Sequence, residues 1–255
     1  MRKPSVIAKC LVMVVLTTFL FSGCSLWGRF FKTEKHEEAP EEVMAKARRS
    51  FDKGYYEQAS TEFEKIKDRY PYSKFALEAE IKMADSLYRR RQYAEAYGAY
   101  DEFEKLHPRN PNVPYVIYQQ GMSQLKQAST IDRDQSHVVK AWREFERLVK
   151  KFPGSEYAAK ARSKIRDCYV SLARYELYVG NFYYKQKKYR AAMKRYRYLV
   201  EKYPDLGQYH EAIENLGRCR AKLAEMPAPE DSSKKEKASS VSSWLHKLNP
   251  FNWWD

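Results

Sequence analysis

The apolar positions in the middle of the chain repeat with a helical spacing. In four segments a small Ala is followed by large residues four, seven and eleven positions later, and Pro comes directly after the last of them. The segments begin at Ala59, Ala96, Ala141 and Ala192. Intervals of three and four place these side chains on one stripe of an α-helix, and Pro ends the helix. The pattern predicts four amphipathic helices that each approach a neighbour closely at the Ala.

These offsets resemble the second helix of tetratricopeptide (TPR) repeats. Weaker first-helix positions precede two of the segments, Val43 and Ala47 in the first and Ala84 and Leu87 in the second. The resemblance implies an all-α fold, a right-handed superhelix of about five TPR-like helix pairs over residues 41–225.

The repeat is longer than the TPR norm of about 34 residues, because the four prolines lie 37, 45 and 51 residues apart. We expect a helix start at Asn112-Val113-Pro114 and an enlarged loop at residues 131–134. A stretch without a breaker predicts one long helix from about Ser155 to about Lys187, with a bend near Gly180. A further helix over residues 207–225 would cover the end of the stack.

The first residues have the pattern of a secretory signal. Arg2, Lys3 and Lys9 precede an apolar run over residues 11–21 that is about half the length of a membrane-spanning helix. Ser22-Gly23-Cys24 follows and resembles the processing site of bacterial lipoproteins. We interpret residues 1–23 as a signal peptide, Cys24 as the lipidated residue and residues 24–40 as a tether. The alternative is a chance Cys in an ordinary signal.

Composition and motifs do not favour an enzyme. The 255 residues carry a net charge of +14 with only nine glycines, and no phosphate-binding loop is present. The five histidines are scattered, and the sequence lacks HExxH, CxxC and GxSxG motifs. We predict no catalytic residues, no metal and no cofactor.

Two cysteines, Cys168 and Cys219, lie beyond the N-terminal region. They could pair in an oxidising compartment. We favour the alternative of two small buried residues on helices.

Several strings are more specific than a TPR consensus. They are HPRNPNVPYVIYQQG (107–121), AWREFERLVKKFPGSEYAAKA (141–161) and ARYELYVGNFYYKQKKYRAAMKRYRYLVEKYP (173–204), with Asp-Arg-Asp at 132–134. Together they closely resemble the BamD (ComL/YfiO) family of outer-membrane β-barrel assembly lipoproteins over residues 41–224. The extension beyond Met226 is not a family feature.

The resemblance implies a scaffold without catalysis, anchored by lipid to the periplasmic face of the outer membrane. The implied partners are a BamA-like β-barrel protein with POTRA domains, nascent outer-membrane β-barrel proteins and other lipoproteins of the assembly complex. It associates the N-terminal repeats with nascent barrels and the C-terminal repeats with the BamA-like protein. Two alternatives stay open: another periplasmic TPR lipoprotein for envelope or peptidoglycan organisation, and an accessory domain of a peptidoglycan-cleaving enzyme.

A stack of helix pairs forms a groove lined by first helices, and such grooves bind extended peptides or helices. Tyr and Arg are enriched at interface hot spots. The predicted partner-binding residues of the groove are therefore Tyr88, Arg89, Arg90, Tyr115 and Tyr118. Each also fits an ordinary solvated helix position.

Residues 181–202 are strongly basic, with tyrosines between the charges. This combination occurs in nucleic-acid-binding proteins, but a secreted lipoprotein rarely meets nucleic acid. We therefore predict no nucleic-acid partner and favour an acidic partner surface or anionic lipid, contacted by Lys194, Arg195 and Arg197. A solvated helix face explains the pattern equally well.

The chain ends in two segments of opposite character. Residues 226–243 are polar and of low complexity, which is typical of a flexible linker. Residues 244–255 (WLHKLNPFNWWD) are rich in Trp. A contact with a partner or with the bilayer surface is slightly favoured for this aromatic segment over folding back onto the helices.

Overall fold

The computed structural model of the protein describes residues 38–204 and 206–226. The predictions for the signal peptide, Cys24, the tether before residue 38, the linker from residue 227 and the aromatic segment lie outside these residues. The described chain is α-helical, with short turns and one longer loop between helices. Its helices are α1 (Pro40–Asp52), α2 (Tyr56–Arg69), α3 (Ala76–Arg89), α4 (Tyr93–Leu106), α5 (Val113–Lys126), α6 (Ser136–Lys151), α7 (Glu156–Lys185), α8 (Tyr189–Lys202) and α9 (Gln208–Ala224).

The predicted all-α stack of TPR-like helix pairs is confirmed. Each helix packs against the next along the chain, so that α1/α2, α3/α4, α5/α6 and α7/α8 form four pairs and α9 packs on α8. The predicted long helix is α7, with 30 residues, and its N-cap Ser155 accepts a hydrogen bond from the Tyr157 amide. The enlarged loop lies between α5 and α6, and the last predicted helix is α9. Within the described chain the fifth unit is therefore this single helix.

Three of the four pairs turn from the first helix to the second through a left-handed residue. Gly54, Arg91 and Lys187 have φ values of 81°, 64° and 59°. Each lies two positions before its second helix begins. After each of them an amide bonds back to a carbonyl five residues earlier, as Tyr55 does to Ser50. This is a left-handed cap that stops one helix and starts the next, and only the first pair uses the glycine that the geometry favours.

The four second helices also end alike. The amides of Tyr70, His107, Phe152 and Tyr203 each donate to the carbonyl oxygen four residues earlier, and Pro follows every time. These residues leave the helical region, with φ between −126° and −136°. The following Pro disfavours a helical conformation at the preceding residue, so the sequence fixes where each pair ends.

Small residues on the first helices allow close packing of the second helices. A Cβ at Gly121 of α5 would lie 2.5 Å from the Phe145 ring of α6, and one at Gly180 of α7 would clash equally with Tyr196 of α8. The corresponding first-helix positions in the two earlier pairs are Ala47 and Ala84, which are fully buried. The contact at Gly180 therefore serves packing within the pair.

Among residues 38–204 and 206–226, the buried apolar side chains form three clusters. The α1–α3 cluster contains Phe63 and Ile66, and the α3–α5 cluster contains Tyr100 and Phe103. The α5–α9 cluster is the largest and runs from Val113 to Cys219. Cys168 and Cys219 are free and buried, as the sequence favoured. Burial raises the pKa of the Cys168 thiol to about 12, so it is unreactive at neutral pH.

Candidate functional site

The predicted groove tyrosines lie on two successive first helices, α3 and α5, and Tyr157 of α7 continues the row onto a third. Tyr115 and Tyr118 of α5 lie with ring centroids 5.4 and 5.9 Å from that of Tyr157 at the start of α7. Burial raises the pKa of Tyr88 on α3, with smaller effects of its neighbours Tyr93 and Tyr118. We call Tyr88, Tyr115, Tyr118 and Tyr157 the first-helix tyrosine cluster. The sequence analysis missed Tyr157, although it follows the Ser155 cap by two residues.

Part of this cluster is structural. The Tyr115 and Tyr100 hydroxyls both donate to Oδ1 of Asp85, at 2.5 and 2.6 Å, and Gln119 donates to the Tyr115 hydroxyl. Burial, followed by the Asp85 charge, raises the pKa of both tyrosines, so they stay protonated donors. The shared carboxylate joins α3, α4 and α5. Tyr115 therefore holds helices together, and only part of its surface faces solvent.

The cations around the cluster remain accessible. Arg89 and Arg90 are exposed at the end of α3, and Nη2 of Arg90 lies 3.5 Å from Oε1 of Glu57. Lys160 of α7 places Nζ 4.6 Å from the centroid of the Tyr157 ring. The arrangement is an aromatic surface with positive charge at its edge. Such a surface suits contact with apolar or acidic segments of another chain.

The three predicted basic residues on α8 separate into two kinds. Arg195 lies with Nη1 3.3 Å from Oε2 of Glu176, whose side chain on α7 is 0% exposed. Burial raises the pKa of Glu176, and Arg195 opposes that shift. Arg195 therefore compensates a buried carboxylate. Lys194 and Arg197 are exposed and available to a partner or to lipid.

An exposed aromatic stripe, which the sequence analysis missed, lies on the long helix α7. Tyr178 is 45% exposed and Phe182 is 52% exposed, one turn apart. Arg174 and Lys185 extend the same helix face at both ends and are exposed. We call Arg174, Tyr178, Phe182 and Lys185 the α7 stripe. In the sequence the stripe is marked by Arg174, Tyr178 and Phe182, which are spaced four residues apart. Each follows or lies close to a buried position of the same helix, at Ala173, Leu177 or Gly180.

The surroundings of the α7 stripe are fixed by one asparagine. Oδ1 of Asn181 accepts from the Tyr196 hydroxyl at 2.6 Å and from Nδ2 of Asn215 at 3.2 Å. These bonds join α7 to α8 and α9. The side chains of the α7 stripe therefore project from a helix held by its neighbours on both sides, which lowers the entropy lost when they bind.

Catalytic or metal chemistry is not indicated at these surfaces. Among residues 38–204 and 206–226, no group of three His, Cys, Asp or Glu side chains is arranged to hold a metal ion. Over the same residues no helix has the length and apolarity needed to cross a bilayer. The geometry provides surfaces for binding.

Comparison with protein families gives a match over residues 36–235 to the family described as YfiO, outer membrane lipoprotein. Among its relatives, the "Outer membrane protein assembly factor BamD" of Xylella fastidiosa (strain 9a5c) is 26% identical, over 94% of this chain and 89% of that protein. The protein of the same name from Caulobacter vibrioides is 29% identical, over 80% of this chain and 67% of that protein.

Among solved structures, the chain is similar to a thermophilic TPR protein of Thermus thermophilus. The identity is 15% and the TM-score is 0.41, over 73% of this chain and all of that one.

Proposed function

Because the chain belongs to the YfiO family of outer membrane lipoproteins, we propose that it is a non-catalytic scaffold in the assembly of outer-membrane β-barrel proteins. It associates with the outer membrane and takes part in outer-membrane protein assembly, the role in the name of its BamD relatives. The observation that carries the proposal is the family match, which covers every helix of the stack.

The attachment to the membrane is through Cys24 at the periplasmic face. The Gly23-Cys24 pair at the end of the apolar run supports lipidation at this residue. Each buried CH₂ of a lipid chain contributes about 0.8 kcal/mol, and a second chain converts marginal binding into stable anchoring. Residues 24–40 then place the stack close to the membrane surface.

The C-terminal repeats dock onto the POTRA domains of a BamA-like barrel protein. The α7 stripe supports this role because it combines two exposed aromatic rings with two cations on a fixed helix. Lys194 and Arg197 add positive charge on α8 for an acidic partner surface or anionic lipid.

The N-terminal repeats receive nascent barrel proteins. Tyr88, Arg89 and Arg90 at the end of α3 support this assignment, since partly exposed aromatic rings bind apolar side chains of an extended segment without requiring one sequence. The other members of the first-helix tyrosine cluster continue this surface towards the later repeats. Other lipoproteins of the assembly complex are further partners.

The test is a pull-down of the tagged full chain from detergent-solubilised outer membranes, followed by mass spectrometry. We expect a POTRA-containing barrel protein at a stoichiometric level. Tyr178→Ala with Phe182→Ala should lower its yield by about tenfold or more, because the loss of a single interface hot spot costs about 2 kcal/mol and about 1.4 kcal/mol is already tenfold in affinity. Tyr72→Ala, at a side chain that is 101% exposed between α2 and α3, is the matched control and should leave the yield unchanged.

Two results would contradict the proposal. Recovery of peptidoglycan-binding or trans-envelope proteins alone would favour another periplasmic TPR lipoprotein. An equal loss of barrel protein with Tyr72→Ala would remove the α7 stripe from the interface.

A further inference from the structure

A row of aromatic rings lines a cleft between α6, α7 and α8. The ring centroids of Trp142 and Tyr169 are 5.8 Å apart, those of Tyr169 and Tyr203 are 5.9 Å apart, and those of Tyr203 and Tyr198 are 6.2 Å apart. Leu172 also lines the cleft, whose volume is about 250 Å³. Pockets for drug-sized ligands begin at about 300 Å³. The cleft is therefore of a size for one or two side chains of a peptide.

The chemistry of the walls favours an aromatic side chain. Burial raises the pKa of Tyr198 and of Tyr203, so both phenols stay neutral and their oxygens can accept a hydrogen bond. An indole supplies an N–H donor with a large apolar ring, which matches a wall of rings with a few hydroxyls. Lys202 also lines the cleft and offers a cation–π contact, for which Trp is the best ring.

The last described helix ends at the opposite end of α8 from this cleft, at a distance that the rest of the chain can span. α9 follows α8 after a short turn and packs back along it, so the end of α9 lies beside the start of α8. The cleft residues Tyr198 and Tyr203 are 9 and 14 positions further along. At 1.5 Å per residue this is a span of about 14 to 21 Å.

The polar linker has the length to cover that span. Residues 227–243 separate the described chain from Trp244. A random coil of this many residues has a root-mean-square end-to-end distance of about 23 Å, and charged side chains extend it further. The effective concentration of a tethered segment is highest when this distance matches the span, and it reaches the millimolar range.

From this match of cleft, reach and composition, we infer that the aromatic segment 244–255 binds in the aromatic cleft of its own chain. Trp244, Trp253 and Trp254 are its candidates for the occupant. Docking buries rings that water would otherwise surround, and the tether makes the association intramolecular. The segment is then an internal brace on the last two pairs.

Disulfide trapping in the full-length lipidated protein in detergent tests this inference. Asn252→Cys is combined with Lys202→Cys at the cleft or with Arg197→Cys on another side of α8. Arg197 is exposed and lies nearer the start of α8, so an undocked tail reaches it at least as easily. Docking predicts that the intramolecular disulfide at residue 202 forms about tenfold faster than at residue 197.

A second comparison tests whether the fast trapping at residue 202 requires the tryptophan rings or only the position of the cysteine. Trp253→Ala with Trp254→Ala in the 202/252 pair should lower its trapping rate to that of the 197/252 pair. If the 202/252 and 197/252 pairs form at equal rates in the chain that keeps both tryptophans, the inference is overturned. The aromatic segment then faces a partner or the membrane. A crosslinked dimer as the main product at residue 202 would overturn it in favour of a second copy as the occupant.

Discussion

The two halves of the stack bury their cores differently. In α1–α4 the apolar residues form the separate α1–α3 and α3–α5 clusters. In α5–α9 a single cluster continues through five helices, from Val113 to Cys219. A solenoid is stabilised by nearest-neighbour interfaces, so a continuous core couples the last pairs more strongly than separate clusters couple the first ones.

The two halves also differ in how their buried carboxylates are compensated by cations. In the first half Glu62 contacts Lys46 and Lys65, each at 3.0 Å. Glu104 of α4 contacts two cations of the second half, Arg147 at 2.6 Å and Lys151 at 3.2 Å, both on α6. Burial alone would raise the pKa of both carboxyls, but their cations hold it below the ordinary value.

In the second half, Glu176 is fully buried and its ion pair is with Arg195. Burial dominates there and raises the pKa of the carboxyl. A buried carboxylate with its cations thus joins α1 to α2 in the first half, and another joins α4 to α6 across the two halves. Within the second half a continuous apolar core is combined with a carboxylate whose burial outweighs its ion pair. One repeat pattern therefore accommodates two kinds of interface, and the continuous core suits the second half to act as a stable docking platform.

The largest expected effect is at the repeated ring position. Phe145→Ala should destabilise the protein by about 3 to 5 kcal/mol, because it leaves a cavity in a fully buried site. Its loss should speed amide hydrogen exchange throughout α5–α9. Phe63→Ala at the equivalent position should speed exchange only in α1–α3, where its cluster ends. The same spread of exchange for both variants would contradict the difference in coupling.

A smaller effect on stability is expected from replacing helical glycines, and it distinguishes the cost of lost close packing from the gain in helix propensity. Gly121→Ala should cost about 1 to 3 kcal/mol, since the added Cβ meets the Phe145 ring. Gly98→Ala on α4 is the matched control, because nothing lies within 4 Å of its Cβ. There we expect a gain of about 0.5 to 1 kcal/mol from the backbone entropy of glycine. Chemical denaturation midpoints measure both changes, and a stabilising Gly121→Ala would refute the close contact.

The smallest effect is on the pH dependence of stability. Folded Glu176 has a pKa above the ordinary 4.5, so folding takes up a proton and stability increases as the pH falls from neutrality towards 4.5. Glu62 and Glu104 have lowered pKa values, so their contribution is present above 4.5 and is lost as the pH falls below it.

Thermal unfolding across this range measures these contributions, and Glu176→Gln should remove the gain above pH 4.5 while leaving the loss below it. An unchanged profile in Glu176→Gln would show that Glu176 does not titrate differently in the folded protein.

The spacing of Ala, ring and Pro was sufficient to predict the four second helices, since helix periodicity and proline geometry act locally, and the resemblance to TPR repeats predicted their pairing. The sequence strings within residues 107–204 that resemble the BamD (ComL/YfiO) family identified the YfiO relationship, and the family match confirms it. The roles of individual side chains were less accessible. Tyr and Arg are residue types common in binding surfaces, but in the structure Tyr115 donates a hydrogen bond to Asp85 and Arg195 forms an ion pair with Glu176. The α7 stripe was missed because its interval of four runs beside the buried stripe of the same helix.

By itself the sequence determined where the helices of the stack begin and end and which face of each is apolar, and it predicts the order of signal, anchor site, stack, linker and aromatic segment. These properties depend on neighbours within a few residues along the chain. Only the tertiary structure decided which charges are buried and paired, which rings line a cleft and which rings reach solvent. Those properties depend on contacts between helices, such as the bond from Tyr115 to Asp85 across 30 residues, that no local pattern encodes.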